Sequence, residues 1–191
     1  MSHKKFNPEK AERLISRKRY QELKPDILLQ KLGTPPGNTI LDLGCGNGFF
    51  TFPAAVGMGE KGMVIAADQS EQMLGLLGMR NPPDNVQILK VDEVELDVES
   101  DSVDAVVGIT VYHEFKAPLK NLNEIDRVLK SAGKLMFLDW SPSADKERGP
   151  HLNHRLTLEQ AVNDVAASGF IVDSQEHYLD DMWLIIAHKK N

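Results

Sequence analysis

Three glycines spaced two apart, Gly44, Gly46 and Gly48, follow Asp42 in the stretch TILDLGCGNGFFT. Glycine leaves no Cβ in the way and turns freely, so a flat ligand can lie against bare peptide here before a helix starts near Asn47. Three more acids stand at the ends of apolar runs: Asp68 closes MVIAAD, and Asp92 with Glu93 closes VQILKVDE. A carboxylate at a strand tip can accept hydrogen bonds from both vicinal hydroxyls of a ribose, which makes Asp68 a candidate nucleoside contact. Ile109 and Thr110 end another apolar run, and Tyr112, His113 and Glu114 come directly after it. Histidine titrates near neutrality, so His113 is the candidate base, with Tyr112 as a second candidate beside it. Each feature also has a plain reading: a structural glycine loop, carboxylates in water, a packed or solvated histidine.

The elements that must position these residues alternate in type. Short apolar runs near residues 39–43, 63–68, 86–91, 103–109 and 134–139 read as strands. Helical patterns separate them: one continues the glycine loop with Pro53 in its first turn, one follows the N-cap Ser70, and one opens at Pro118 and closes at Gly133. Thr157 and Gln160 form a capping box for a further helix stopped by Gly169. Residues 170–178 and 182–188 flank a three-residue connection and must pair antiparallel. Residues 81–84, NPPD, read as a turn. The fold class expected is α/β: a doubly wound, mostly parallel sheet with helices on both faces and a C-terminal antiparallel hairpin. In such sheets ligands lie beyond the carboxyl ends of the strands, so Asp42, Asp68, Asp92 and residues 110–113 should converge on one crevice.

The spacing of the glycines discriminates between nucleotides. A dinucleotide loop places glycine or alanine three residues after its second glycine, where this chain has the bulky Phe49. The run from Asp42 to Gly48, with Asp68 twenty residues further on, instead resembles the first two motifs of class I S-adenosylmethionine-dependent methyltransferases. The resemblance extends over residues 39–188, is strongest over 40–139, and implies a seven-stranded sheet. It implies that Asp42 helps hold the ammonium of the methionine portion, that Gly44, Cys45, Gly46, Asn47 and Gly48 pass beneath the cofactor, and that Asp68 takes the ribose. Gln69 and Met73 would line the adenine, Met73 having plain core as its alternative. Asp92 or Glu93 would reach the adenine amino group, and residues 109–113 would face methyl donor and acceptor. Cys45 reads simply as a small residue suited to the loop.

Among the branches of that family, catechol-type metal enzymes need an acid within residues 110–113, arsenite enzymes need several cysteines, and protein-arginine enzymes need a paired-glutamate loop. None of these is present, so the resemblance points to the small-molecule branch typified by quinone biosynthesis, with S-adenosylmethionine as cofactor and no metal. The alternative is a protein that holds the nucleoside without catalysis.

The chain has 191 residues, enough for one domain with a full core, and its 41% hydrophobic and 26% charged residues exclude disordered and fibrous classes. Without an apolar N-terminal stretch or an 18-residue apolar run, and with Cys45 as its single cysteine, it is expected to be cytoplasmic and not membrane-bound. The net charge of -6 is unevenly placed: residues 1–24 hold five Lys and three Arg against three Glu, leaving 14 basic and 25 acidic residues elsewhere. An acidic body disfavours nucleic acid as partner. Residues 1–33 read as an N-terminal helical cap, a solvated charged helix or a lid over the pocket, with Tyr20 as its candidate contact to substrate; residues 34–191 form the cofactor-binding domain. The long loop over residues 140–155 carries Arg148, His151, His154 and Arg155. His151, His154 and Arg155 are candidate contacts to an anionic acceptor, Arg155 as bidentate partner; the alternative ties Arg155 to Glu159 and packs His154 beneath the loop. Oligomeric state is not legible.

Overall fold

The computed structural model describes residues 8–142 and 148–190. Seven strands form one sheet: β1 (Thr39–Leu43), β2 (Met63–Asp68), β3 (Val86–Lys90), β4 (Val103–Ile109), β5 (Leu129–Trp140), β6 (Phe170–Leu179) and β7 (Met182–Lys189), in the order β3-β2-β1-β4-β5-β7-β6. β1 to β5 are parallel, while β7 runs antiparallel to both β5 and β6. The expected doubly wound sheet with its terminal hairpin is therefore present. Strand order reverses between β1 and β4, the point at which adjoining loops diverge and leave a crevice.

Side chains alternate across each strand, so the sheet sorts its apolar residues into two cores. Leu41, Val106, Phe137 and Trp183 face one side with Leu122, Ile125, Ala161 and Val165 of helices α5 (Pro118–Val128) and α6 (Leu158–Ala167). Ile40, Val64, Val107 and Met136 face the other, against α2 (Pro25–Leu32) and α3 (Thr51–Met58) through Leu28, Leu32, Ala54 and Met58. Helix α4 (Glu71–Gly78) covers a smaller cluster of Cys45, Ala66, Leu74 and Leu77. The two expected caps exist: Ser70 accepts from the Met73 N–H, and Thr157 and Gln160 cap each other.

Two boundaries differ from the sequence reading. Helix α5 stops at Val128, because Leu129 turns extended and joins the core as the first residue of β5, five residues before the expected strand start. Gly133 therefore closes no helix. Helix α3 begins at Thr51 rather than near Asn47, since Gly44, Gly46 and Gly48 all hold positive φ (70°, 56° and 92°), which no helix accommodates. N-terminally, a 3-10 segment (Pro8–Ile15) and α1 (Arg17–Leu23) precede α2, and the left-handed Lys24 before Pro25 makes the break between those helices. No helix among the described residues is long and apolar enough to cross a membrane.

Candidate cofactor and methyl-transfer site

β1 delivers Asp42 to the crevice. The residue is 2% exposed, its Oδ2 accepts the Thr51 hydroxyl proton at 2.6 Å, and no cation within the described residues pairs with it. Burial raises its pKa from an ordinary 3.8 to about 7, the Thr51 bond opposing and the Asp68 charge adding to the rise. After Leu43 the chain turns through the glycines. A Cβ on Gly44 would stand 2.5 Å from Val111 Cγ2, and one on Gly48 2.6 Å from Leu77 Cδ1, so the close approach as well as the positive φ excludes side chains there.

Asp68 stands at the tip of β2 and is clasped to that loop. Its Oδ2 accepts from the Gly46 N–H and its Oδ1 from the Ser70 N–H, both at 2.8 Å. Half-buried Gln69 follows it, and buried Met73 approaches the loop: its Cε is 3.3 Å from a Cβ position on Gly46. Met73 thus serves core and loop at once. Cys45 is buried, and its thiol pKa is pushed well above 9 by burial and by Asp42 and Asp68, which makes it an inert packing residue. Asn47 is 3% exposed; its side-chain amide donates to the Ala11 carbonyl at 2.9 Å while its Oδ1 is buried without a partner. Beyond β3, Asp92 is exposed, whereas Glu93 is engaged by Lys116 Nζ at 2.6 Å.

The end of β4 forms the opposite wall. Ile109 is buried; Thr110 takes φ 56° and donates its N–H to the Leu138 carbonyl at 2.7 Å. After Val111, a 3-10 turn (Tyr112–Glu114) sends neighbouring side chains opposite ways. Tyr112 goes inward. It is fully buried against Phe115, Phe137 and Trp183, its hydroxyl donates to Asp164 Oδ2 at 2.9 Å, and burial with Asp164 drives its pKa far up. The expected second catalytic candidate is therefore a core residue. His113 stays at the carboxyl edge, its side chain 12% exposed, with Nδ1 2.8 Å from Asp139 Oδ1 and Nε2 3.9 Å from Glu114 Oε1.

Residues 11–23 lie across this edge. Ala11 meets Asn47, Leu14 approaches Gly46, the Tyr20 hydroxyl donates to the Phe49 carbonyl at 3.0 Å, and Arg19 Nη2 donates to Thr110 Oγ1 at 3.0 Å. The Arg19 guanidinium stacks on Phe49 at 4.7 Å and, among the described residues, forms no ion pair and has a buried Nε without a hydrogen-bond partner. Burial lowers its pKa to about 10, with Asp139 and Tyr20 opposing. Glu22 is held by Arg148 at 2.7 Å, so the loop after β5 grips the arm.

That loop does not use Arg155 as expected under either reading. The residue is 6% exposed, and its guanidinium donates to the carbonyls of Pro150, Ser141 and Arg148, folding the loop onto itself rather than reading an acceptor or tying Glu159. A guanidinium fork already filled by backbone carbonyls has little left for an anion. His151 is exposed and caps a 3-10 turn (Leu152–His154), accepting from the Asn153 N–H, and His154 is half-buried in that turn. The sequence reading missed two residues. Asp139, an acid ending an apolar strand, carried the same signal as Asp42 and Asp68; nothing in the sequence separated Arg19 from the basic residues around it.

Residues 41–137 match the methyltransferase domain family. The chain belongs to that family. The chain resembles an uncharacterized chloroplastic methyltransferase of Arabidopsis thaliana, 30% identical over 81% of this chain and 47% of that protein. It also resembles the demethylmenaquinone methyltransferase of Lactococcus lactis, 32% identical over 59% of this chain and 46% of that one. The chain thus spans about half the length of these curated relatives. Among solved structures, an S-adenosylmethionine-dependent methyltransferase from Aquifex aeolicus superposes with a TM-score of 0.90 at 27% identity, covering 96% of this chain and 99% of that one. The cofactor these relatives imply is S-adenosylmethionine, and the residues present fit it. Among the described residues, a buried acid without a cation, a buried Arg19 Nε without a hydrogen-bond partner and an orphaned Asn47 oxygen surround a loop that only glycine can form.

Proposed function

We propose that the protein transfers the methyl group of S-adenosylmethionine to a small-molecule acceptor in the crevice between residues 11–23 and the carboxyl ends of β1, β4 and β5. The observation that carries this reading is a buried carboxylate that no cation pairs and a guanidinium whose Nε has no hydrogen-bond partner among the described residues: Asp42 suits an ammonium and Arg19 a carboxylate, the two ends of an amino-acid moiety. Asp68 takes the ribose hydroxyls, Gln69 and Met73 flank the base, and exposed Asp92 is better disposed than the ion-paired Glu93 to reach its amino group. The likeness to demethylmenaquinone methyltransferases supports a small-molecule acceptor.

When bound, the cofactor supplies an electrophilic methyl on a sulfonium, whose charge disperses as the methyl departs. The protein's part is alignment and exclusion of water: in-line attack gains from fixed geometry in a dry crevice, which Tyr20, Arg19 and Phe49 help to cover. His113 removes a proton from an acceptor that must lose one.

Calorimetry with S-adenosylhomocysteine tests the reading. Saturable binding by the wild type is expected, weakened by about 1–3 kcal/mol in Asp68→Ala, the range for a hydrogen bond to a charged group. Unchanged affinity in both Asp68→Ala and Asp42→Asn, or saturable NAD binding, would sink it.

A further inference from the structure

We propose that Asp139 is a positioning residue for His113, holding its ring in the Nδ1–H tautomer so that Nε2 takes the proton of a phenol or enol acceptor. The proposal rests on the methyl-transfer reading and deepens it by naming the acceptor's chemistry.

Asp139 grips one residue at two points. Its Oδ2 accepts the His113 backbone N–H at 3.1 Å and its Oδ1 faces His113 Nδ1 at 2.8 Å, while Oδ1 also accepts from the Trp140 N–H at 2.7 Å. The carboxylate is 1% exposed, so it is neither rotating nor shared with water. An ionised carboxylate can only accept. The hydrogen between them must therefore sit on Nδ1, and in the neutral ring this leaves the lone pair on Nε2. The backbone bond fixes the carboxylate against residue 113, and a flip of the imidazole would forfeit the Nδ1 bond.

Such a pair is a poor device for stability alone. Burying a carboxylate and an imidazole costs desolvation that well-packed apolar residues of similar volume would avoid. Its place is informative too. β5 ends beside the β4 edge, where Thr110 and Arg19 meet, and Asp139 is the penultimate residue of β5. Besides Asp139 itself, the charges facing this pair come from three elements: Glu114 from the same turn as His113, Arg155 from the loop after β5, and Arg19 from α1. Burial lowers the His113 pKa, but Asp139, by charge and hydrogen bond, and Glu114 outweigh it against the opposing Arg155, and the net shift is upward. A base so raised holds a proton taken from a weakly acidic hydroxyl more firmly than an ordinary imidazole does. In the step, the acceptor's nucleophilic atom bonds to the methyl carbon as the carbon–sulfur bond breaks with its electron pair on sulfur; the hydroxyl proton passes to Nε2, and Asp139 stabilises the imidazolium. A thiol or free amine would need no such base.

The test is nitrogen-15 NMR of the histidine rings in the full chain with S-adenosylhomocysteine, the His113 signals being those absent from His113→Gln. Above its titration midpoint the wild-type ring should show the Nδ1–H tautomer. In Asp139→Asn the midpoint should fall by about one pH unit or more, the effect of removing an adjacent opposite charge, while S-adenosylhomocysteine affinity stays near wild type. An Nε2–H tautomer in the wild type, or an unmoved midpoint in folded Asp139→Asn, overturns the proposal. Should that variant fail to fold, the wild-type tautomer decides the matter and Asp139→Glu, which keeps the charge, should retain the raised midpoint. Absence of S-adenosylhomocysteine binding by the wild type would instead remove the methyl-transfer reading and leave the tautomer result standing.

Discussion

Asp42 shows how a single buried acid couples fold to ligand. Without a cation its pKa stands near 7, so between about 4 and 7 the folded chain holds a proton that the unfolded chain has lost. The sign follows: more protons bound in the folded state means that this residue's contribution to stability falls as pH rises through that window. An ammonium beside Asp42 favours the charged form and reverses the shift. Affinity for S-adenosylhomocysteine should therefore rise with pH up to about 7, with proton release visible as buffer-dependent binding heats. Asp42→Asn should bind weakly at every pH and lose the dependence; a parallel pH profile in the variant would show that Asp42 is not the coupled group. Tyr112 makes the opposite prediction. Tyr112→Phe leaves Asp164 without its hydroxyl partner and should cost about 1–3 kcal/mol of stability in chemical denaturation, with cofactor affinity unchanged.

At the scale of elements, the arm formed by residues 11–23 packs Ala11, Ile15, Tyr20 and Leu23 on the body and is latched over the site by polar contacts: Asn47 to Ala11, Arg19 to Thr110, Tyr20 to Phe49, Arg148 to Glu22. Segments held this way open locally at low cost. Hydrogen exchange over residues 11–23 should slow when S-adenosylhomocysteine binds, and Arg19→Ala should remove most of that protection while its melting temperature stays near wild type. Equal exchange with and without ligand would reject the arm as a cover. The loop after β5 behaves differently, because Arg155 satisfies three of its carbonyls from within. Arg155→Lys cannot reproduce that fork and should lower the melting temperature, whereas an effect confined to acceptor kinetics would restore the anion-reading role.

For the molecule as a whole, the reversed strand β7 is the element that ties the site to the second half of the chain. It pairs with β5 from Lys134 to Trp140, and its Trp183, 1% exposed, donates its indole N–H to the Leu156 carbonyl at 2.9 Å. Trp183→Ala should cost about 3–5 kcal/mol, the range for deleting a buried aromatic, and calorimetry should show His113 and Asp139 variants to be far milder. Much of this architecture was legible in the chain itself. The short apolar runs of the strands, the glycine spacing from Gly44 to Gly48, and the Ser70 and Thr157 caps are local signals, set by residue type, backbone sterics and hydrogen bonds within a few residues. By such signals the sequence alone determined the doubly wound sheet, the cofactor loop, and Asp42 and Asp68 as acids at strand tips. What tertiary structure decided were matters of direction and pairing. Tyr112 and His113 are adjacent in sequence, yet one turn buries the first against Trp183 and sets the second against Asp139, 26 residues away. Arg19 and Arg155 are alike in type, and only the packed surroundings leave one with an open donor and fill the other with carbonyls. The reason is physical: a side chain's partner is chosen by long-range contacts that carry no imprint in local pattern, and burial then sets the cost of leaving its charge unpaired.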